Sequence, residues 1–372
     1  MKVAVLSSHT PSLFWFRIDM MKAFVACGWE VVAIGQSPES AWREKFNGFG
    51  IVYRQIFIER NGMNPLKDIR MLNALIDLLK KEMPDKIFTY QAKTIIYGGL
   101  AAHKCKIDEV YSLIAGLGSV FRGKGVKNKI LRMVLKYEYK IACRYSRAVF
   151  FQNIDDRNVF LDEKIVPMNK AVIINGSGVN LEKFVPTKLP DKTAFLFIGR
   201  LLKDKGVCEY LEACKAIKSE FPDIRCLLVG PFDSNPSAIT PVELQMYIDS
   251  RIVEYFGEQE DVRRFIDQCS VYVLPSYHEG IPKTVLEAMA SGRAIITTDA
   301  PGCRETVEDG VNGFLVPIRD LHSLITKMRY FIDTSEASQK MGERSRRMAE
   351  DRFDVHKINE SILSTMGISS LM

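Results

Sequence analysis

The residues Val271-Tyr272-Val273-Leu274-Pro275-Ser276-Tyr277-His278-Glu279-Gly280-Ile281-Pro282-Lys283-Thr284-Val285-Leu286-Glu287-Ala288-Met289-Ala290 read as one strand, one loop and one helix. Four apolar residues in a row suit a strand buried on both faces. Pro282 suits the first turn of a helix, and Val285, Leu286 and Met289 give that helix a buried face. Glu279 then stands in the loop before the helix and Glu287 within it. First-turn amides have no partner inside a helix and the dipole is positive there, so this end is suited to an anion. The dipole contributes only about 0.3–1 kcal/mol when exposed, so a diphosphate needs cationic side chains as well.

The same alternation of short apolar runs with helix-period segments extends along the chain. Val3–Leu6, Val31–Ile34, Lys86–Thr89, Ala148–Phe151 and Val172–Ile174 read as strands of a first half. Ala194–Ile198, Cys226–Val229, Val253–Phe256, Val271–Leu274 and Ala294–Thr297 read as those of a second. Such alternation is the signature of βαβ units and parallel sheets. The expected fold is α/β, with two Rossmann-like domains whose parallel sheets face a cleft. Residues 184–192 carry two prolines and no periodicity, so the linker is expected there, between a first domain at 1–183 and a second at 193–352. Residues 353–372 are expected to form a C-terminal helix packing back on the first domain. In open parallel sheets, ligands bind beyond the carboxyl ends of the strands.

Composition agrees with two cores. At 372 residues the chain exceeds the length of one typical domain, about 150 residues. Hydrophobic residues at 47% and charged residues at 26% exclude a disordered or collagen-like chain. The N-terminal apolar run turns polar at Ser7-Ser8-His9, too early for a signal peptide, and no apolar stretch is long enough to span a membrane. The 8 cysteines form no Cys-x-x-Cys and no His/Cys pairing at zinc spacing, so reduced thiols in a cytosol are expected.

The cations that a diphosphate needs stand at Phe197-Ile198-Gly199-Arg200-Leu201-Leu202-Lys203-Asp204-Lys205-Gly206-Val207, where a strand ends at Gly199 and a turn places Arg200 and Lys205 beyond it. Charge-assisted hydrogen bonds are worth roughly 1.5–3 kcal/mol each, more than the helix dipole.

Gly199-Arg200 and Lys205-Gly206, followed by Glu279 and Glu287 with seven residues between them, resemble the retaining GT-B glycosyltransferases of family 4. The resemblance takes in Ile174-Asn175-Gly176-Ser177-Gly178-Val179-Asn180 and Pro301-Gly302-Cys303-Arg304-Glu305 and covers nearly the whole chain. It implies that Arg200 and Lys205 hold the diphosphate of a UDP-sugar, Glu279 hydroxyls of the donor sugar and Glu287 the ribose. Arg200, Lys205 and Glu279 are the candidate catalytic residues; Gly199, Gly230, His278, Gly280, Ile281, Pro282, Thr284 and Glu287 are the candidate donor-binding ones. No Asp-x-Asp occurs anywhere in the chain, so neither a metal nor any other cofactor is expected.

The first half should hold the acceptor. Its Ser7-Ser8-His9-Thr10-Pro11-Ser12 loop lacks the glycines of many family members, and His9 is a candidate acceptor contact. Gly116-Leu117-Gly118 is no dinucleotide fingerprint, because Phe121 takes the place of the third glycine. From Arg122 to Arg147 nine Lys/Arg face one acid, Glu138. Lys129, Arg132, Lys136, Lys140, Arg144 and Arg147 recur every three or four residues as one helix stripe, with Ile130, Leu131, Val134, Leu135 and Ile141 on its other faces. A surface with hardly any acids points to an anionic partner.

The run Ser112–Ser119 and this stripe are similar to bacterial enzymes that extend undecaprenyl-diphosphate-linked sugars, including α-1,3-N-acetylgalactosaminyltransferases; Lys93 matches a lysine in them, whereas Ala92 stands in place of a histidine. That resemblance implies a UDP-sugar donor, a lipid-linked acceptor and an anionic membrane surface as partners, at the cytoplasmic face of a bacterial plasma membrane. His9, Lys93, Gly116, Gly118, Arg122, Lys124, Lys127, Lys129, Arg132 and Lys136 are the candidate acceptor and lipid residues. Nucleic acid is not expected, since no aromatic interleaving or recognised module accompanies the basic residues. Two other readings stay open: a UDP-sugar epimerase of the same fold, and a non-catalytic peripheral sugar-binding protein.

Overall fold

In a computed structural model the described residues are 1–58, 64–117 and 125–369, with only the backbone described at Val126 and Lys127. Contacts divide the chain into two units, Met1–Ser177 with Lys357–Met372, and Gly178–His356.

The first unit carries a seven-stranded sheet formed by β1 (Lys2–Ser7), β2 (Glu30–Gly35), β3 (Ile51–Gln55), β4 (Lys86–Tyr90), β5 (Val110–Ile114), β6 (Ala148–Phe151) and β7 (Ala171–Ile173), in the order β3-β2-β1-β4-β5-β6-β7. The described pairings are parallel, with Val3 opposite Val31 on one side and Lys86 on the other. Side chains alternate across the sheet as the period of two demands. Val3 and Val5 join Leu13, Met20 and Phe24 on one face, while Ala4 and Leu6 join Met71, Leu75 and Leu79 on the other. The helix Val355–Thr365 returns to this unit, and Ile358, Ile362, Leu363 and Met366 pack in the cluster of Val3 and Phe88.

The second unit repeats the plan with six strands: β8 (Ala194–Ile198), β9 (Arg225–Val229), β10 (Glu254–Tyr255), β11 (Val271–Leu274), β12 (Ala294–Thr298) and β13 (Gly313–Val316), in the order β10-β9-β8-β11-β12-β13. In both sheets the chain first winds one way and then reverses, between β1 and β4 and between β8 and β11. That reversal splays the neighbouring loops apart and leaves room for a ligand at the carboxyl ends of those strands.

Three strands lie outside the sequence expectation. β3 and β13 are edge strands, short or interrupted by Arg54, so they lack an unbroken apolar run. β5 is internal but carries Ser112, whose hydroxyl is satisfied by Thr89 at 3.1 Å and Ser146 at 2.9 Å. Residues 184–192, expected as the linker, lie inside the second unit. There Phe184 is buried and Arg293 donates to both the carbonyl and the hydroxyl of Thr187, so side-chain packing ties down a stretch that looks irregular in sequence.

Ile362 is fully buried and Ile130 is 54% exposed. Ile362→Ala should lower stability by about 2–5 kcal/mol in denaturant unfolding. Ile130→Ala should stay within about 0.5 kcal/mol of the parent chain.

Candidate active site

The loop after β11 is held from three directions. Its backbone is fixed by Tyr277 N–H donating to Asp204 O and Glu279 N–H donating to Pro301 O, each at 2.9 Å. From behind, the Thr298 hydroxyl donates to Ser276 O. Glycines permit the close approaches: a Cβ on Gly206 would lie 2.1 Å from Pro275 O, and one on Gly302 would lie 2.2 Å from Glu279 O. Both have positive φ, a conformation that other residues seldom adopt.

This framework aims Glu279 at Lys205. Lys205 Nζ donates to Glu279 Oε1 at 2.5 Å and to Oε2 at 2.6 Å, and Ser276 Oγ donates to Oε1 at 2.8 Å. The two loops that meet follow β8 and β11, the strands flanking the second unit's reversal. Arg200, one turn before Lys205, donates through Nη1 to Asp233 Oδ2 at 2.8 Å and is 45% exposed. Asp233 is ordered by its own turn, its Oδ1 accepting from Asn235 N–H at 2.8 Å. Each expected diphosphate cation is therefore already matched with a carboxylate.

The remaining candidates fall on the same loops. Gly199 ends β8, its N–H donating to Val229 O, and Gly230 ends β9, donating to Gly257 O at 2.8 Å. His278 and Gly280 flank Glu279; Ile281 is buried and joins the core. Pro282 caps the helix Lys283–Ala290. The Thr284 hydroxyl accepts from Tyr272 Oη at 2.7 Å and donates to Ile198 O, so it braces the helix start against β8. The contact of Asp233 with Arg200 and of Ser276 with Glu279 escaped the sequence reading. Their signal was position alone, in loops that follow β9 and β11.

In the first unit the Ser7–Ser12 loop closes on Gln91. Its side-chain oxygen accepts from Ser7 Oγ at 2.9 Å, Ser8 N–H at 3.0 Å and Ser8 Oγ at 2.7 Å. His9 caps the helix Thr10–Ala26, and its carbonyl accepts from Ser12 Oγ at 2.7 Å. Lys93 donates to Asp68 Oδ1 at 2.6 Å, with both side chains mostly buried. Burial, then the Asp68 charge, pushes the nearby Glu138 carboxyl up, against the pull of Lys93. Gly116 has positive φ just after β5. Gly118, Arg122 and Lys124 lie outside the described residues, as does the side chain of Lys127.

The helix Val126–Arg144 departs from expectation on one face. Ile130 and Val134, expected away from the basic stripe, are exposed together with Met133 and Tyr137, at spacings of three and four. Its buried face is Tyr139, Ala142 and Cys143, packed with Ile95 and Ile96. Lys129 and Lys140 are exposed, Arg132 is half-buried, and Lys136 pairs with Glu163. Apolar and basic residues thus share the outer surface of one helix. Among the described residues no helix is long and apolar enough to cross a membrane.

Glu287 differs from Glu279. It is 9% exposed, and burial pushes its carboxyl up from 4.5 to about 7, while the Lys283 and Lys183 charges pull the other way. Between about pH 4.5 and 7 the unfolded chain gives up this proton and the folded chain keeps it, so stability from this group falls across that window and levels off above it. Glu287→Gln should therefore raise Tm by several degrees at pH 8 and by little at pH 5, as thermal melts across that range would record. A gap that does not widen with pH would contradict the burial argument.

Two family descriptions fit the two halves of the chain: "Glycosyl transferase 4-like" over residues 2–153 and "Glycosyl transferases group 1" over residues 179–348. A relative from Campylobacter jejuni, named N,N'-diacetylbacillosaminyl-diphospho-undecaprenol α-1,3-N-acetylgalactosaminyltransferase, is 29% identical over 351 residues, 90% of each chain. An Escherichia coli relative, named UDP-Gal:α-D-GlcNAc-diphosphoundecaprenol α-1,3-galactosyltransferase, is 29% identical over 278 residues, 71% of this chain and 70% of its own. The fold is that of Anabaena HepE in complex with UDP, with a TM-score of 0.78 at 16% identity over 99% of this chain and 100% of that one. It is also that of sucrose-phosphate synthase from Thermosynechococcus elongatus, with a TM-score of 0.80 at 18% identity over 98% of each. With both halves matched, the doubled Rossmann order and the cation–carboxylate loops in place, the chain belongs to the GT-B glycosyltransferases of family 4.

Proposed function

We propose that the chain transfers a sugar, with N-acetylgalactosamine the first candidate, from a UDP-sugar to an amino sugar on undecaprenyl diphosphate, retaining anomeric configuration and using no metal ion, in assembly of an O-antigen, capsule or other glycan. The observation that carries the reading is the Lys205–Glu279 pair at the reversal of the second sheet. It sets a cation for the leaving diphosphate beside a carboxylate for sugar hydroxyls. The names of the Campylobacter jejuni and Escherichia coli relatives support the acceptor class and a galacto-configured donor.

Sugar transfer passes through an oxocarbenium-like state in which negative charge builds on the departing phosphate. Arg200 and Lys205 meet that charge, with first-turn amides of the helix Lys283–Ala290 adding to them. The acceptor oxygen arrives on the face from which UDP departs and gives its proton to the leaving phosphate oxygen. Glu287 holds the ribose hydroxyls in its ionised form, so donor affinity falls as pH drops below about 7. A half-exposed ion pair such as Arg200–Asp233 is worth about 0–1 kcal/mol, whereas charge-assisted bonds to a diphosphate bring about 1.5–3 kcal/mol each. The diphosphate therefore displaces Asp233 at small cost.

The first unit takes the acceptor, with Lys93, His9 and the basic helix as its contacts. The face with Ile130, Met133, Val134 and Tyr137 among lysines suits an anionic membrane surface, which attracts each nearby cation by about 1 kcal/mol. That face supports a peripheral position at the cytoplasmic leaflet of the plasma membrane as part of this reading.

In a donor panel assayed against lipid-linked GalNAc and GlcNAc, UDP-GalNAc should give the fastest transfer with the α configuration kept, and EDTA should leave the rate unchanged. Arg200→Ala should lower turnover by about two orders of magnitude or more, the scale of losing a transition-state donor. Recovery of an EDTA-silenced rate by magnesium would contradict the metal-free reading. Flotation with anionic liposomes should retain the parent chain and release one carrying Ile130→Glu and Val134→Glu.

A further inference from the structure

Tyr277 has contacts on three sides that its place in a loop does not require. Its main-chain N–H donates to Asp204 O at 2.9 Å, and the adjacent Ser276 hydroxyl donates to the same oxygen at 3.2 Å. Its own hydroxyl donates to Glu209 Oε1. The Arg319 guanidinium stands over its ring, with Cζ 4.7 Å from the centroid. Tyr277 follows β11, whereas Asp204 and Glu209 follow β8 and Arg319 follows β13, so three strand ends converge on one side chain.

Neither distant partner is explained by its own neighbourhood. Glu209 is the third residue of the helix Val207–Glu220, where a glutamate ordinarily reaches back to the N–H of the capping residue. Here that N–H, of Gly206, donates to Lys203 O at 2.9 Å, and Glu209 turns to Tyr277 instead. Its second oxygen is sealed from solvent with no hydrogen-bond partner among the described residues. Arg319 has a φ of 63°, a conformation that glycine adopts freely and a long side chain seldom does. Strain and an unmatched oxygen of this kind collect where a fold holds a working site in place.

These contacts bracket the Lys205–Glu279 pair. Asp204 stands immediately before Lys205 and Glu209 one helical turn after it, while Tyr277 stands just ahead of His278 and Glu279. The 3-10 turn Lys203–Lys205 is too short to hold itself, and two attachments, one on each side of Lys205, tie it to the β11 loop. Burial, then Glu209, push the Tyr277 hydroxyl up to about 12 against the pull of Arg319, so it remains a donor throughout the pH range of an assay.

We propose that Tyr277 is a positioning residue: its hydroxyl bond to Glu209, with its ring held by Arg319, fixes the Lys205 turn against the Glu279 loop. What the positioning serves rests on the transferase reading of that pair. A cation displaced by a fraction of an ångström still attracts a bound diphosphate but meets the charge of the transition state less well, so the loss falls on turnover rather than on donor binding.

The test is steady-state kinetics of the full chain, with the UDP-sugar that the donor panel selects and a lipid-linked acceptor, joined to crystal structures of the parent chain and Tyr277→Phe. Tyr277→Phe should lower kcat by about tenfold or more and leave the donor KM within about threefold. Glu209→Leu should do the same, whereas Glu209→Gln, which keeps an oxygen for the hydroxyl, should retain most of the parent rate. Arg319→Gly, which relieves the backbone, should lower kcat by about threefold or more without lowering Tm. In a Lys205→Ala background Tyr277→Phe should cost less than about a further twofold, because it acts through that residue. Turnover within about twofold of the parent in Tyr277→Phe, a change confined to KM, or a loss that multiplies in full with that of Lys205→Ala overturns the inference and leaves the transferase reading standing. Should Tyr277→Phe not fold, Glu209→Leu and Arg319→Gly decide by the same criteria. If the parent chain transfers no sugar, the transferase reading fails and the structures decide alone. Lys205 and Glu279 drawn out of hydrogen-bond reach in Tyr277→Phe then support the bracket, and a pair closed as in the parent overturns it.

Discussion

The second unit is organised around one contact, the two-pronged donation of Lys205 to Glu279. Neither residue belongs to a regular element that would hold it unaided. Lys205 sits in a short 3-10 turn and Glu279 in a loop, and each loop follows a different strand. What brings them together is the reversal of strand order between β8 and β11, which sets the two loops side by side. The glycines at 206 and 302 then allow the backbones to approach closely enough for Tyr277 and Glu279 to be held by main-chain bonds. The pair is mostly withdrawn from water, and Ser276 adds a third bond to the carboxylate. An ion pair in that setting adds little to stability, because desolvation offsets most of its attraction. In the proposed reaction its worth is geometric: charge would already stand where the leaving group needs it, with little reorganisation left.

Carboxylates already occupy both cations of the proposed donor site. Asp233 occupies Arg200 and Glu279 occupies Lys205. A site built to bind a diphosphate carries excess positive charge, which is unfavourable when empty. Matching each cation with a displaceable partner lets the empty protein keep its loops ordered. Arg17 is a buried cation without such a match among the described residues, and Glu287 is a buried carboxyl whose proton affinity burial raises. Both are places where local stability has yielded to something else.

Most of the fold was legible in the sequence because buried parallel strands are nearly continuous apolar runs. Val271–Leu274 and Ala194–Ile198 are matched residue for residue by β11 and β8. β5 was hidden by Ser112, whose polarity is offset by hydroxyls of Thr89 in β4 and Ser146 just before β6, which sequence does not bring near. Residues 184–192 read as a linker because prolines at 186 and 190 signal irregularity, yet irregular backbone can be pinned, here by Arg293. Within the candidate site, the sequence placed Lys205 in the turn after one strand and Glu279 in the loop after another, but not their contact. Asp233 was not, since an aspartate after a strand is ordinary until Arg200 lies 2.8 Å away. Likewise the basic period of the helix Val126–Arg144 was visible, but which apolar residues face outward depends on where the neighbouring helix packs.

The most direct test of this account is a crystal structure of the full chain with UDP bound. It should place the diphosphate against Arg200 and Lys205, with Asp233 released and the ribose hydroxyls on Glu287. UDP bound elsewhere, with Arg200–Asp233 and Lys205–Glu279 still closed, would contradict the account.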